Sequence, residues 1–123
     1  MPRLKPPPFA PNCVHSAAEP RMPQHAIAPL VGVSLGQVKA VLDSWPRTRL
    51  VEEDSDYLHY VVTSALFRFK DDLELHATGG VVHVRSASRV GYSDLGANRR
   101  RVEKLRAQLK ATGATATLRS ALP

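Results

Sequence analysis

The stretch RSASRVGYSDLGANRRR, residues 85–101, connects the last predicted strand of this chain to its last predicted helix. The strand runs from Val81 to Ala87, and its residues alternate between the two faces of a sheet. Its valines are expected to face the core, so Arg85 and Arg89 project from the opposite face. Arg85 and Arg89 therefore reach the corner at which the strand turns toward the last helix.

The turn and the helix that follow the strand have their own signals. Gly91 permits a sharp turn, and Ser93 or Asp94 is expected to cap a helix that runs to about Lys110. An apolar stripe at helical spacing predicts the buried face of this helix. The stripe consists of Leu95, Val102, Leu105 and Leu109.

Asn98 falls in the middle of that stripe, where an aliphatic residue is usual. An unpaired buried amide costs about 1–3 kcal/mol, so Asn98 is expected to bond backbone near residues 89–91 or a ligand. Arg99 and Arg101 flank the stripe and can reach the strand. Arg100 points away from the stripe and is interpreted as a solvated charge.

The rest of the chain predicts one α+β domain. A first helix begins after Ser34, which forms a capping box with Gln37, and ends at Pro46. A tight hairpin turn is expected at residues 78–80. Strands are expected at residues 48–52, 57–69, 72–76 and 81–87. The order α-β-β-β-β-α predicts an antiparallel meander of about four strands, with both helices packed mainly on one face.

We divide the chain into a proline-rich arm (residues 1–30), an α+β domain (31–110) and a loose tail (111–123). The arm holds eight of the ten prolines and the segment PNCVHS. Cys13 lies in that segment and is the only cysteine of the chain, which excludes an internal disulfide. It is interpreted as either a buried structural residue or a reactive thiol.

No apolar stretch approaches the roughly 20 residues of a membrane-spanning helix. The start of the chain lacks the apolar segment of a secretory signal. A cytoplasmic location is the default expectation, with the envelope or an organelle as the alternative in case a leader has been removed. We expect no cofactor, because no phosphate-binding glycine loop or dinucleotide fingerprint is present. We also expect no metal, because the histidines lack ligand spacing.

The positive charge is concentrated near the end of the domain. Residues 85–110 hold eight basic and two acidic residues, a difference equal to the net charge of +6 for the whole chain. A small anion or an acidic protein partner is therefore expected at this part of the chain. Nucleic acid is less favoured, because Tyr92 is the only aromatic residue in the basic segment.

Residues 85–101, together with FRFKDD upstream and PNCVHS near the start, resemble a bacterial and plastid family known only as domain of unknown function 1499. The resemblance covers about residues 11–110. Its signature, R-S-x-S-R-x-G-x-S-D-x-G-x-N-R-x-R, is matched at Arg85, Ser86, Ser88, Arg89, Gly91, Ser93, Asp94, Gly96, Asn98, Arg99 and Arg101. An F-x-D-D element is matched at Phe69, Asp71 and Asp72, and a P-N-C element at Pro11, Asn12 and Cys13. The family has no known reaction, so the resemblance implies the kind of domain and no activity.

Three functions stay open on these observations, and whether the chain is an enzyme stays open with them. The leading hypothesis is a binding or assembly domain whose strand–turn–helix corner holds an anion or an acidic partner. The corner residues, as ligands or as a structural network, are Arg85, Ser86, Ser88, Arg89, Ser93, Asp94, Asn98, Arg99, Arg101, Asp71 and Asp72. The second hypothesis is a hydrolase or transferase that uses Cys13 or the Asp71–Asp72 pair. The third is a structural subunit that docks through its N-terminal arm.

Overall fold

The computed structural model describes residues 4–5, 7–8, 10–17, 23–91 and 94–112. Ser93 and Tyr92, as well as the predicted tail beyond residue 112, lie outside the described residues. The strands are β1 (Cys13–His15), β2 (Leu30–Val31), β3 (Thr48–Asp54), β4 (Tyr57–Thr63), β5 (Lys70–Thr78) and β6 (Val81–Ser88). The helices are α1 (Leu35–Asp43) and α2 (Ala97–Ala111), with a 3-10 turn at Pro23–His25. The predicted α+β class is confirmed.

The strands form one antiparallel sheet in the order β1-β6-β5-β4-β3. The short strand β2 also pairs with β6, opposite Val81–Val82, whereas β1 lies opposite Arg85–Ala87. β1, which belongs to the segment interpreted as an arm, and β2, which begins at the last residue of that segment, therefore line the same side of β6. These two short pieces account for the difference between the predicted number of about four strands and the six that are described.

The core lies between one face of the sheet and the two helices. α1 begins as predicted: Ser34 Oγ accepts the Gln37 N–H at 3.1 Å, and Gln37 Oε1 accepts the Ser34 N–H at 2.7 Å. The predicted hairpin is also present, with Gly79 and Gly80 at φ values of 60° and 82° that favour glycine. The core side chains include Val14, Leu30, Val38, Leu42, Leu58, Tyr60, Leu73, Leu75, Val82, Val84, Val102, Leu105 and Leu109.

β4 is shorter than its sequence predicts. The apolar residues up to Phe69 favour one long strand, but β4 ends at Thr63, so that prediction is wrong. Residues 64–69 form a loop, in which Arg68 has a φ of 60° and breaks the extended path. β5 then begins at Lys70, two residues before the start of the strand predicted at residues 72–76.

α2 begins at Ala97, after Gly96 in the left-handed conformation with a φ of 81°. The N-cap residue is Gly96, so the prediction of Asp94 as the cap is wrong, and Ser93 lies outside the described residues. Asp94 lies before the cap and accepts hydrogen bonds from the backbone N–H groups of Gly96 at 2.7 Å and Asn98 at 3.3 Å. The expected burial of Leu95 is wrong, because this residue precedes the helix and is 84% exposed. Neither helix of the described part is long and apolar enough to cross a bilayer.

Candidate functional site

Asn98 is fully buried on the face of α2 that packs against the sheet. Its amide oxygen accepts hydrogen bonds from Ser86 Oγ and Arg101 Nη1, both at 2.7 Å. Its amide nitrogen donates to Ser88 Oγ at 3.0 Å and to Asp94 Oδ2 at 2.7 Å. Residues of the same chain therefore satisfy both ends of this amide. The predicted partner, backbone near residues 89–91, is not among them, because side chains of β6 and α2 take its place.

Arg101 connects α2 to the start of β5. Its Nη2 donates to Asp71 Oδ2 at 2.7 Å, and its Nη1 donates to Ser86 Oγ at 3.0 Å. The side chains of Arg101 and Asp71 are only 14% and 12% exposed, so this ion pair is largely withdrawn from water. We use the name α2 network for Asp71, Ser86, Ser88, Asp94, Asn98 and Arg101.

The α2 network extends to the segment before β1. Asn98 Nδ2 donates to the backbone oxygen of Asn12 at 3.1 Å, and Asn12 Nδ2 donates to the backbone oxygen of Gly91 at 2.8 Å. The PNC segment, the strand–helix turn and α2 are thus held together by side-chain amides. The network joins segments that are far apart in the sequence.

Two further arginines of α2 bind the chain between β1 and α1. Arg99 donates to the backbone oxygens of Gln24 and Ala26, and Arg106 donates to those of Ala28 and Pro29. Arg100 is exposed and donates to the Leu95 oxygen at 2.8 Å. Much of the positive charge of α2 therefore serves contacts within the chain.

The sheet face opposite the helices carries a second buried ion pair. Arg85 Nη1 donates to Glu74 Oε2 at 3.2 Å, and Tyr57 Oη donates to Glu74 Oε1 at 2.7 Å. Glu74 is 2% exposed and Arg85 is 9% exposed. The sequence interpretation missed Glu74 and Tyr57, because an acid that alternates with leucines is typical of a solvated strand face.

Arg89 and Asp72 form a half-exposed pair on the same outer face. Arg89 donates to both carboxylate oxygens at 2.9 Å, and His59 Nε2 lies 2.7 Å from Asp72 Oδ1. Burial acts to raise the pKa of Asp72, but the hydrogen bonds from Arg89 and His59 outweigh it and lower this pKa to about 2. The carboxylate in turn raises the pKa of Arg89.

Cys13 is buried on the outer face, where it lies opposite Ala87 of β6. Burial raises the pKa of its thiol to about 11, although the Arg85 guanidinium acts in the opposite direction. His15 is also buried, which lowers its pKa, and it forms a hydrogen bond with the backbone of Lys5. At neutral pH the thiol is therefore protonated, and its neighbour His15 is not a cation that would activate it.

A different set of cations surrounds an open cleft of about 350 Å³ near the end of β4. The cleft is lined by Arg47, Thr48, Arg49, Val61, Thr63, Arg68 and Lys70, and we call it the basic cleft. The four cations are exposed, and none of them forms an ion pair with a carboxylate in the described part of the chain. Arg47 Nε is held by the Thr63 oxygen at 3.1 Å.

Strand pairing explains why these cations meet. Arg49 is paired with Val61, and Thr63 is paired with Lys70, all on the face of the sheet away from the helices. The acidic residues 52–54 lie at the opposite end of the β3–β4 hairpin. The cations of the basic cleft and the acids 52–54 lie close together in the sequence, so their charges sum to nearly zero in a count along the chain. The sequence interpretation missed the basic cleft for this reason. A prediction of the antiparallel register would have placed the cations and the acids at opposite ends of the hairpin.

Other recesses lie among the described residues, and one of about 340 Å³ is lined by Pro11, Cys13, Gln24, Asp94, Gly96 and Arg99. A groove of about 570 Å³ between α1 and α2 has no ionisable residue in its lining, which is Gln37, Ala40, Val41, Ser44, Gln108, Ala111 and Thr112. No group of three or more His, Cys, Asp or Glu side chains within the described ranges is arranged to hold a metal ion.

Comparison with known proteins identifies the sequence family. The model of a family described as "Protein of unknown function (DUF1499)" matches residues 3–109. No curated protein matches the chain. No solved structure matches it either. The family match spans both the α2 network and the basic cleft.

Proposed function

We propose that this chain, which belongs to the DUF1499 family of proteins of unknown function, is a non-enzymatic binding domain for an anionic ligand. The ligand occupies the basic cleft. The cations of the basic cleft have no carboxylate partner among the described residues, whereas Arg85, Arg89 and Arg101 of the family signature each have one.

The observation that carries this proposal is the convergence of Arg47, Arg49, Arg68 and Lys70 on one cleft. Like charges at close range repel one another, and a bound anion relieves that repulsion. Guanidinium groups bind phosphate and carboxylate oxygens through paired N–H donors, and lysine adds a point charge. The hydroxyls of Thr48 and Thr63 supply further polar groups at the cleft wall.

The arginines of the family signature support a structural role instead. Arg101 pairs with Asp71, Arg85 with Glu74, and Arg89 with Asp72. An external anion at any of them would compete with a carboxylate that is already in place. The signature residues are therefore proposed to hold α2 and the PNC segment on the sheet.

The geometry favours binding over the catalytic alternatives. Cys13 is buried with a raised pKa, whereas a nucleophilic thiol needs a lowered one. The carboxylates of Asp71 and Asp72 each accept hydrogen bonds from a guanidinium. The docking alternative is also weakened, because described parts of the N-terminal arm pair with β6 of the same domain.

Calorimetric titration with inorganic pyrophosphate at low ionic strength tests the proposal. The test variant is Arg49→Gln/Lys70→Gln, and the matched control is Arg100→Gln/Lys110→Gln, which removes the same charge from exposed positions on α2. Wild type and control are expected to bind pyrophosphate, with affinity at least about tenfold higher than that of the test variant. Equal affinity in all three proteins, or no binding by wild type, would overturn the proposal.

A further inference from the structure

The loop of residues 64–69 presents a cluster of exposed apolar side chains next to the basic cleft. Leu66 is 80% exposed, Phe67 is 69% exposed and Phe69 is 54% exposed. Within the described ranges these are three of the seven large apolar residues that are exposed, and they lie within four consecutive positions. Contiguous apolar exposure of this kind marks an interaction surface more often than scattered single residues do.

The loop is fixed in this exposed arrangement by hydrogen bonds at its base. The Ser64 N–H donates to the Phe69 oxygen at 2.8 Å, and the Phe69 N–H donates to Ser64 Oγ at 2.9 Å. The rings of Phe67 and Phe69 stack with centroids 5.7 Å apart. The exposure of these side chains is therefore a property of a closed loop and not of a frayed strand end.

Arg68 belongs to both features. It lies between Phe67 and Phe69 in the loop, and it also lines the basic cleft. Lys70 follows the loop directly and lines the same cleft. An apolar tip and a ring of cations thus share one corner of the molecule, with no described carboxylate in the lining.

We propose that the 64–69 loop and the basic cleft together bind an anionic lipid surface. Leu66 and Phe67 enter the boundary between headgroups and acyl chains, while the cations of the basic cleft contact lipid phosphates. This combination of apolar insertion and electrostatic attraction is how peripheral proteins bind membranes reversibly. The contacts between the cations and the lipid headgroups rest on the proposed function, and the insertion of the apolar loop is the new element.

The observations favour a lipid surface over other partners of the same charge. The most exposed apolar side chain of the loop, Leu66, is aliphatic, and the rings of Phe67 and Phe69 stack on each other instead of standing apart as a platform for bases. A second copy of the chain would bring an identical ring of cations to the contact, and like charges would oppose the association. An anionic membrane offers both an apolar interior for the loop side chains and phosphates for the cations.

Sedimentation with vesicles tests the inference. One set of vesicles is pure phosphatidylcholine, and the other contains about 30% phosphatidylglycerol, so that only the second is anionic. The loop variant is Leu66→Ser/Phe67→Ser, which changes two exposed residues and is expected to fold. The cleft variant is Arg49→Gln/Lys70→Gln, and Arg100→Gln/Lys110→Gln is again the matched control.

Wild type and control are expected to partition onto the anionic vesicles at least about tenfold more strongly than onto neutral ones. The loop variant is expected to lose at least about tenfold in partitioning while its pyrophosphate affinity is unchanged. The cleft variant is expected to lose both activities. A Phe67→Trp variant is expected to show an additional tryptophan signal that shifts to the blue on anionic vesicles only.

Several results would overturn the inference and would leave the proposed function distinguishable from it. Pyrophosphate binding without vesicle binding, or equal vesicle binding by the loop variant, contradicts the lipid surface but not the anion site. Binding of single-stranded oligonucleotides that is lost in the loop variant, in the absence of vesicle binding, identifies nucleic acid as the partner instead. A dimer that the loop variant abolishes identifies a second copy. Absence of both pyrophosphate and vesicle binding contradicts both proposals.

Discussion

Arg101 of α2 donates to Asp71 of β5 at 2.7 Å, and this contact joins the last helix to the middle of the sheet. The pair is largely shielded from water and is continuous with the buried amide of Asn98. Buried ion pairs contribute more to the choice of one packing arrangement than to net stability in some proteins. The contact explains why an arginine-rich motif lies next to a conspicuous pair of aspartates in this fold.

Substitution of Asn98 is expected to destabilise the fold. Asn98→Leu leaves Ser86, Asp94 and Arg101 without a shared partner in a buried site, and we expect a loss of about 2–4 kcal/mol in the free energy of unfolding. The exposed neighbour provides a control, since Arg100→Gln is expected to change stability by less than about 0.5 kcal/mol. Urea denaturation measures both values, and similar values for the two variants would contradict the role assigned to Asn98.

The buried pair of Arg85 and Glu74 predicts a non-additive double mutant. Arg85→Met leaves the Glu74 carboxylate buried without its cation, and we expect a loss of about 3–5 kcal/mol. Glu74→Leu/Arg85→Met removes both charges and is expected to be more stable than the single variant. A double variant that is less stable than Arg85→Met would show that the pair is not coupled as the geometry indicates.

The pKa of Asp72 predicts a pH dependence. This pKa falls from 3.8 to about 2 on folding, so the ionised carboxylate stabilises the folded state at neutral pH. The contribution is present above about pH 4 and is lost as the pH falls toward about 2. Asp72→Asn is therefore expected to lose about 1–2 kcal/mol at neutral pH, after allowance for the half-exposed Arg89.

The same comparison at acid pH checks the sign. The difference in stability between wild type and Asp72→Asn is expected to shrink between about pH 4 and pH 2, measured by thermal unfolding. Glu53→Gln, on the exposed part of β3, is the control and is expected to show no such convergence. A difference that grows as the pH falls would contradict the assigned contacts of Asp72.

The thiol of Cys13 is expected to be unreactive in the folded protein. Because burial raises its pKa to about 11, the thiolate fraction at neutral pH is very small. We expect iodoacetamide to modify native Cys13 at least about a hundredfold more slowly than a free model thiol, and at the normal rate after unfolding in urea. A native rate equal to or above that of the model thiol would revive the hypothesis of a nucleophile.

The sequence predicted the parts of the fold that depend on local patterns. The capping box at Ser34, the glycine turn at residues 79–80 and the stripe of Val102, Leu105 and Leu109 are local signals, and the structure has all of them. The end of β4 was predicted wrongly, because apolar residues in a strand and in an exposed loop look alike in sequence. What separates them is the left-handed backbone at Arg68 and the hydrogen bonds of Ser64.

The candidate site was harder to predict because the ion pairs of the fold join basic and acidic residues that lie far apart in the sequence. Three of the basic residues counted in the stretch 85–110 have carboxylate partners in β5, which are Asp71, Asp72 and Glu74. Those acids belong to the part of the chain that appeared neutral in the linear count. Their use by the signature arginines leaves the cations of the basic cleft without partners. The register of β5 against β6 is needed to see which acids lie beside the signature arginines.

The most direct test of where the anion binds is an NMR titration of the isotope-labelled full chain with inorganic pyrophosphate. The account predicts chemical-shift changes centred on the basic cleft, at Arg47, Arg49, Thr63, Arg68 and Lys70. The backbone signals of Ser86, Asn98 and Arg101 in the α2 network are expected to stay within the noise. Shifts that centre on the α2 network and spare the basic cleft would contradict the account.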